Sequence, residues 1–420
     1  LSLWKQGFGA AFVEEDELAN ELETALRLEP NFIDAHLLSL MKAARDYWFS
    51  MAGRAESETK ITQHLAALEQ LDTAPVKLAT ARAVRRYYLE HDPRGGVEIL
   101  APFRRTLVRN TESAMFYAYM LRRIGQIDEA FDILHQVVDQ DPSAISPVET
   151  QAELLAFLGQ GGAAMAVLQE SIERFGDRSH ARIKMASFGY QLTGDTRFLV
   201  MGRNALTDDP MLSKLRHHAD MELARREGDL QKVRELARSY IGEDKTVSGH
   251  GLTPKELVGA LALRAGGAPE PEVRSLATEA LEKLQRWRQE SDSDARRGTM
   301  AVALALLGRA EEAKELSAEV EAAFPLERDE LEAADRIQEA ASIFALLGND
   351  EEVVRRLQIL RQSRFYALSL CGVPFDFATQ AIWDLPAARE FINTECAPLW
   401  ERNRKELQPV LAQAAIPSRK

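Results

Sequence analysis

Residues Ile124–Pro142 read IGQIDEAFDILHQVVDQDP. A glycine, Gly125, follows one apolar stretch, Ala130 stands five residues further on, and Pro142 closes the next stretch. In the stretch before the glycine, TESAMFYAYMLRRI, the residues Ala114, Tyr117, Ala118 and Leu121 recur at the three- and four-residue spacing of one helix face. Gly125 suits the left-handed turn that ends a helix without a Cβ clash. Ala130, Leu134 and Val137 then form the inner face of a second helix, which Asp141-Pro142 stops because proline cannot donate the next hydrogen bond. The unit is a helical hairpin. Two helices joined by so tight a turn approach closely only at small side chains, so Ala118 and Ala130 mark the expected crossing.

The same pattern recurs. Gly125, Gly159, Gly194 and Gly228 are 34, 35 and 34 residues apart, and Gly267, Gly308 and Gly348 continue at about 40. His91 and Gly53 extend the series backwards. Good copies place Ala152, Leu155, Gly159, Ala164 and Leu168, and again Ala301, Leu304, Gly308, Ala313, Val320 and Pro325, at matching offsets. Weaker copies keep Ser187, Tyr190 and Gly194, or Tyr87 before His91, and ALRLEPNF carries Ala25, Leu26 and Pro30 of a unit at the front. Two departures stand out. Val233 follows Gly228 where alanine is usual, and GGAPEPEVRSLATEALEKLQRW carries an insertion and a long second helix.

These residues resemble the tetratricopeptide repeat, a 34-residue helix-turn-helix unit. The resemblance is carried in the best copy by Tyr117, Ala118, Leu121, Gly125, Ala130, Leu134, Val137 and Pro142. It implies an all-α fold, a right-handed superhelical α-solenoid of about ten hairpins over residues 1–365. It also implies a concave wall, made by the outward face of each first helix, that binds extended peptides or helices of partner proteins. The order of ALRLEPNF, RRIGQIDEAFDILHQVVDQDP and WDLPAAREF further resembles the arrays attached behind bacterial class III adenylate cyclases and winged-helix transcriptional regulators. Neither of those output modules is visible here. The chain begins at Leu1 rather than Met, which reads as a piece of a longer protein.

Composition fits a folded, water-soluble chain: of 420 residues, 45% are apolar and 28% charged. No run approaches the length of apolar residues needed to span a membrane, and LSLWKQGFGAAF lacks the features of a secretory signal. A net charge of −13, from 65 acidic and 52 basic residues, disfavours a phosphate-binding surface, so no nucleic acid is expected. The two cysteines, Cys371 and Cys396, are compatible with a cytoplasmic chain holding two thiols, or with a periplasmic one in which they pair.

Basic and aromatic residues recur on the expected wall: Arg82, Arg85, Tyr88, Tyr119, Arg122, Lys184, Phe188, His218, Arg225 and Arg264. One reading is a groove for an acidic, partly apolar peptide, with arginines meeting carboxylates and rings meeting side chains. The other is helix electrostatics, because Arg122-Arg123 and Arg225-Arg226 each fall in a last turn, where cations suit the negative dipole end. Residues 366–420 lack the hairpin spacing but are rich in aromatics. They read as a segment capping the array's final apolar face, or as a docking patch for another domain or a second copy, with Trp383, Phe391 and Trp400 as anchors.

Catalytic and metal chemistry finds little footing. Arg216-His217-His218-Ala219-Asp220 has adjacent histidines, which point to different helix faces, unlike the four-residue spacing of a metal pair. Ser248-Gly249-His250-Gly251 has no preceding strand or lysine and reads as a connector. Cys371 lacks a basic partner and reads as a core residue or half of a disulfide. The expectation is a non-enzymatic scaffold without cofactor or metal that binds a protein or peptide. The alternative is a structural array that forms a homodimer or larger assembly through its terminal segments.

Overall fold

The computed structural model describes residues 15–49, 53–176, 180–205, 210–239, 245–248, 251–290 and 292–414. Helix α1 (Glu15–Leu28) precedes a succession of helix pairs. These are α2 (Ile33–Phe49) with α3 (Arg54–Gln70), α4 (Pro75–Glu90) with α5 (Pro93–Leu100), and, past a short α6 (Arg104–Leu107), α7 (Thr111–Arg123) with α8 (Ile127–Gln140). Then come α9 (Ile145–Phe157) with α10 (Gly161–Phe175), α11 (Ala181–Thr193) with α12 (Arg197–Ala205), and α13 (Pro210–Glu227) with α14 (Leu230–Ser239). The last pairs are α15 (Lys255–Ala265) with α16 (Glu270–Glu290), α17 (Asp294–Leu306) with α18 (Ala310–Ala323), and α19 (Glu330–Leu346) with α20 (Asp350–Gln362). The protein is an all-α array of helical hairpins, nine pairs among the described residues, preceded by α1.

The turn glycines explain the regularity. Gly125, Gly159, Gly194, Gly228, Gly267, Gly308 and Gly348 all have φ between 70° and 77°, and His91 adopts φ 53° at the corresponding turn. At Gly125 the amide of Gln126 donates to the carbonyl of Leu121 at 2.9 Å, which closes the helix end. The equivalent bond recurs at Gln160, Asp229, Ala268, Arg309 and Asn349. Gly53 departs from the reading: its φ is −58°, and it is the N-cap of α3 rather than a left-handed turn. The crossing alanines Ala118, Ala130, Ala164 and Ala313 are buried, and Val233 is buried at the departing copy. The long second helix is α16, of 21 residues. The connector near Ser248 differs from expectation: β1 (Lys245–Ser248) pairs antiparallel with β2 (Gly251–Pro254), and Gly249 and His250 lie outside the described residues.

The chain divides into two compact units. The first holds residues 1–151 with the short segments 290–293 and 327–331; the second holds 152–289, 294–326 and 332–420. The first unit has an aromatic core in which Trp48 stacks on Tyr87 at 5.3 Å, with Tyr88 and Phe116 packed alongside. Arg123 pairs with Asp329 at 2.8 Å beside these rings, both side chains buried.

In the second unit the residues after α20 form α21 (Tyr366–Ser369), two 3-10 turns (Val373–Phe375 and Phe377–Thr379), α22 (Gln380–Asp384) and α23 (Pro386–Ala414). Leu370, Val373, Ile382 and Ile392 join one core with Leu168, Leu192, Phe198 and Leu357. Burial of each such side chain is worth about 1.5–3 kcal/mol. Helix α23 satisfies helix ends elsewhere in the unit. Asn403 accepts from the amide of Gly161 and Glu406 from that of Gly162, both at 3.2 Å, at the start of α10. Arg402 donates to the carbonyl of Gly159 at 2.6 Å and Arg404 to that of Thr193 at 2.8 Å, at two helix C-termini. The segment also binds hairpins more than two hundred residues away in sequence.

Candidate partner-binding face

The ten wall residues divide between the two units. In the first, Arg82 and Arg85 on α4 are exposed; Arg82 pairs with Glu69 at 2.8 Å and Arg85 with Glu90 at 2.9 Å. Tyr88 is not on a wall. It is buried between Trp48 and Phe116, and burial pushes its phenol upward. Arg122 is also buried, its guanidinium 4.6 Å from the half-buried ring of Tyr119. These corrections share one cause: neighbouring first helices pack through large rings, so positions offset from the small-residue seam are still interior.

In the second unit Lys184 pairs with Glu153 at 2.7 Å, and Phe188 lies half-buried against the core. The other three, on successive first helices, all meet the chain's own C-terminal segment. His218 on α13 lies against Phe377, ring centroids 4.5 Å apart. Arg225 on the same helix donates to Gln380 Oε1 at 3.0 Å. Arg264 on α15 pairs with Asp384 at 3.5 Å. The face expected to hold a peptide holds residues 373–384.

A polar clamp stands behind these contacts. The buried Glu222 carboxylate accepts from the Tyr190 hydroxyl at 2.6 Å and from Arg226 Nε at 2.9 Å, and it also pairs with Arg225. Burial pulls this carboxyl upward, but Arg225, Tyr190 and Arg226 outweigh burial and hold it below the usual carboxylate range. Arg226, so oriented, donates to the carbonyl of Pro374 and lies 6.0 Å from the Phe375 ring centre. Phe375 in turn rests over Tyr190 at 6.1 Å. Gly194 makes room for it: a Cβ there would stand 2.3 Å from Phe375 Cε1.

Arg226, Tyr190 and Glu222 were not among the wall residues read from sequence. The signal for them was the doubled arginine at the end of α13, which the dipole reading accounts for by position alone. Of the expected anchors, Trp383 and Phe391 are half-buried against the core, while Trp400 is buried and donates from Nε1 to the carbonyl of Cys371 at 3.0 Å. Trp400 is a packing residue rather than a docking anchor. Cys371 and Cys396 form a disulfide, both residues buried. His217 is bonded to the carbonyl of Leu236, so the adjacent imidazoles of His217 and His218 face different neighbours.

No family model matches the chain, and no curated protein matches it. A chain in the solved structure of Naa15/Naa10 bound to HypK-THB is similar over 95% of this chain and 67% of that one, at 14% identity and a TM-score of 0.26, a likeness too slight to bear on function. Among the described residues no helix is long and apolar enough to cross a membrane.

Proposed function

We propose that this chain is a non-catalytic protein–protein interaction scaffold whose first-helix faces take up an extended, acidic and partly apolar segment of a partner protein. One observation carries the reading: in the second unit such a face already grips a non-repeat stretch with the expected chemistry, arginines on polar groups and rings on rings. In the first unit the exposed Arg82 and Arg85 are the matching donors. Their pairs with Glu69 and Glu90 are solvent-exposed and worth about 0–1 kcal/mol, so an incoming carboxylate exchanges with them at little cost. The resemblance to arrays of bacterial adenylate cyclases and winged-helix regulators supports a sensing or docking role in a signalling system. The disulfide supports an oxidising compartment, and so the periplasm over the cytoplasm.

The test is capture from an extract of the source cells by the immobilised chain, compared with Arg82→Glu/Arg85→Glu. A protein recovered by the wild type and lost by the variant, and then bound directly after purification, is the expected result. An identical set recovered by both sinks the reading. A second reading, homodimer assembly, is favoured by one feature: Leu28 and Phe32 at the front of the array are exposed large apolar residues.

A further inference from the structure

Residues 373–384, VPFDFATQAIWD, carry two acids, three aromatic rings and no cation. Around them stand His218, Arg225, Arg226 and Arg264, so the match is electrostatic as well as apolar. Between α21 and α22 the stretch has only two 3-10 turns. Detaching it opens the core contacts of Val373, Phe375, Phe377 and Ile382, the short helix α22 and a few capping bonds, while the hairpin helices keep their own ladders. Both ends stay attached without it: Cys371 is bonded to Cys396 on α23, and α23 is fixed to α10 through Asn403 and Glu406.

We propose that residues 373–384 are a tethered internal ligand, and that the face made by α11, α13 and α15 binds in trans a partner segment of the same kind: acidic, with aromatic residues about two positions apart. The proposal rests on the scaffold reading and names both the partner chemistry and its control. Such a tether holds the internal ligand at an effective concentration of the order of millimolar. A free peptide with equal contacts then competes at a large disadvantage. Access is controlled by whatever loosens 373–384, and the partner must outbid it or meet the face when it is vacated.

The probe is a fluorescein-labelled synthetic peptide of residues 373–384, titrated by anisotropy into the full chain. Wild type, Phe377→Ser, and the surface double variant Gln380→Ala/Asp384→Lys are compared, each checked for native helicity. The expected result is binding about tenfold or more tighter to both variants than to wild type, absent for a scrambled peptide and weakened when Arg264→Glu is added. Equal binding to wild type and variants, or no binding to either variant while native helicity is kept, overturns the proposal. If that happens while partner capture still depends on Arg82 and Arg85, only the internal ligand falls; if capture fails as well, the scaffold reading falls with it.

Discussion

Replacing one turn glycine by alanine at two positions separates backbone strain from the seating of the C-terminal segment. Gly228 and Gly194 have nearly the same backbone, φ 75° and 70°. At Gly228 a Cβ meets nothing within 4 Å, so Gly228→Ala feels only the left-handed conformation. That conformation costs an L-residue about 1–2 kcal/mol, less the few tenths or more gained by restricting the unfolded chain, for a net loss of about 1 kcal/mol. At Gly194 the Cβ would stand 2.3 Å from Phe375 Cε1 and 2.8 Å from Cδ1 and Cζ. The ring must retreat by about 1 Å to reach ordinary contact. It has nowhere to go, because it is buried between Tyr190 at 6.1 Å and Trp400 at 5.4 Å. Overpacking of that kind adds about 1–3 kcal/mol, so Gly194→Ala should lose about 2–4 kcal/mol in total.

A repeat array does not unfold in one step, so a single melting temperature would blur the comparison. Hydrogen exchange followed by mass spectrometry reads local opening instead. In Gly194→Ala, peptides covering 366–396 should exchange at least about fivefold faster than in Gly228→Ala. Peptides from α7 and α8 should be unchanged in both. Equal effects of the two substitutions, or unchanged exchange in 373–384, would show that Phe375 does not rest on that turn.

Four further outcomes follow from other parts of the molecule. Burial, the neighbouring His36 and Lys60 lower His64 to about 4, below the ordinary 6.5, with His36 Nδ1 and His64 Nδ1 3.0 Å apart. The unfolded chain then takes up the proton first, so stability is full above pH 6.5 and falls toward pH 4 by on the order of 2 kcal/mol after allowance for solvent screening; urea titrations across that range should show the slope, and His64→Gln should flatten it. Asp329→Asn removes the carboxylate 2.8 Å from the buried Arg123 guanidinium and should cost about 3 kcal/mol, read as faster exchange in α4 and α7; unchanged protection there would contradict the pairing. Cys371→Ser/Cys396→Ser removes a link across 25 residues, worth about 3.5 kcal/mol by loop-closure entropy, and denaturation with and without reductant measures it. Leu28→Ser/Phe32→Ser should leave stability within about 0.5 kcal/mol; if the chain self-associates through its front, sedimentation equilibrium shows the variant monomeric, and an unchanged dimer would exclude that surface.

The hairpin was legible from sequence because one residue type answers one local demand. A left-handed turn between two helices selects glycine almost alone, so the spacing of Gly125, Gly159, Gly194 and Gly228 gave away the turns before any packing was known. Gly53 misled for the same reason: glycine also serves as an N-cap, and only its φ separates the two uses. The wall was read less well because exposure depends on partners far away in the chain. Tyr88 and Arg122 stand at offsets that face outward on an isolated helix, yet Trp48, Phe116 and Tyr119 cover them. His218, Arg225 and Arg264 were rightly placed on successive first helices. What they touch is set by residues more than a hundred positions later, and no periodicity links the two.

The role of the C-terminal stretch could not be read from its composition. A terminal cap and an internal ligand demand the same composition, apolar rings with a few polar groups, since both cover helix faces that would otherwise meet water. They differ in where the polar groups find partners. A cap satisfies the last hairpin alone, whereas here Asn403 and Glu406 reach the start of α10, Arg404 the end of α11, and Gln380 and Asp384 the arginines of α13 and α15. Those contacts are specific polar pairings spread over four hairpins, and apolar burial alone would require none of them. Hiding a final surface needs no polar pairing with the arginines of α13 and α15, whereas the proposed internal ligand accounts for both pairings.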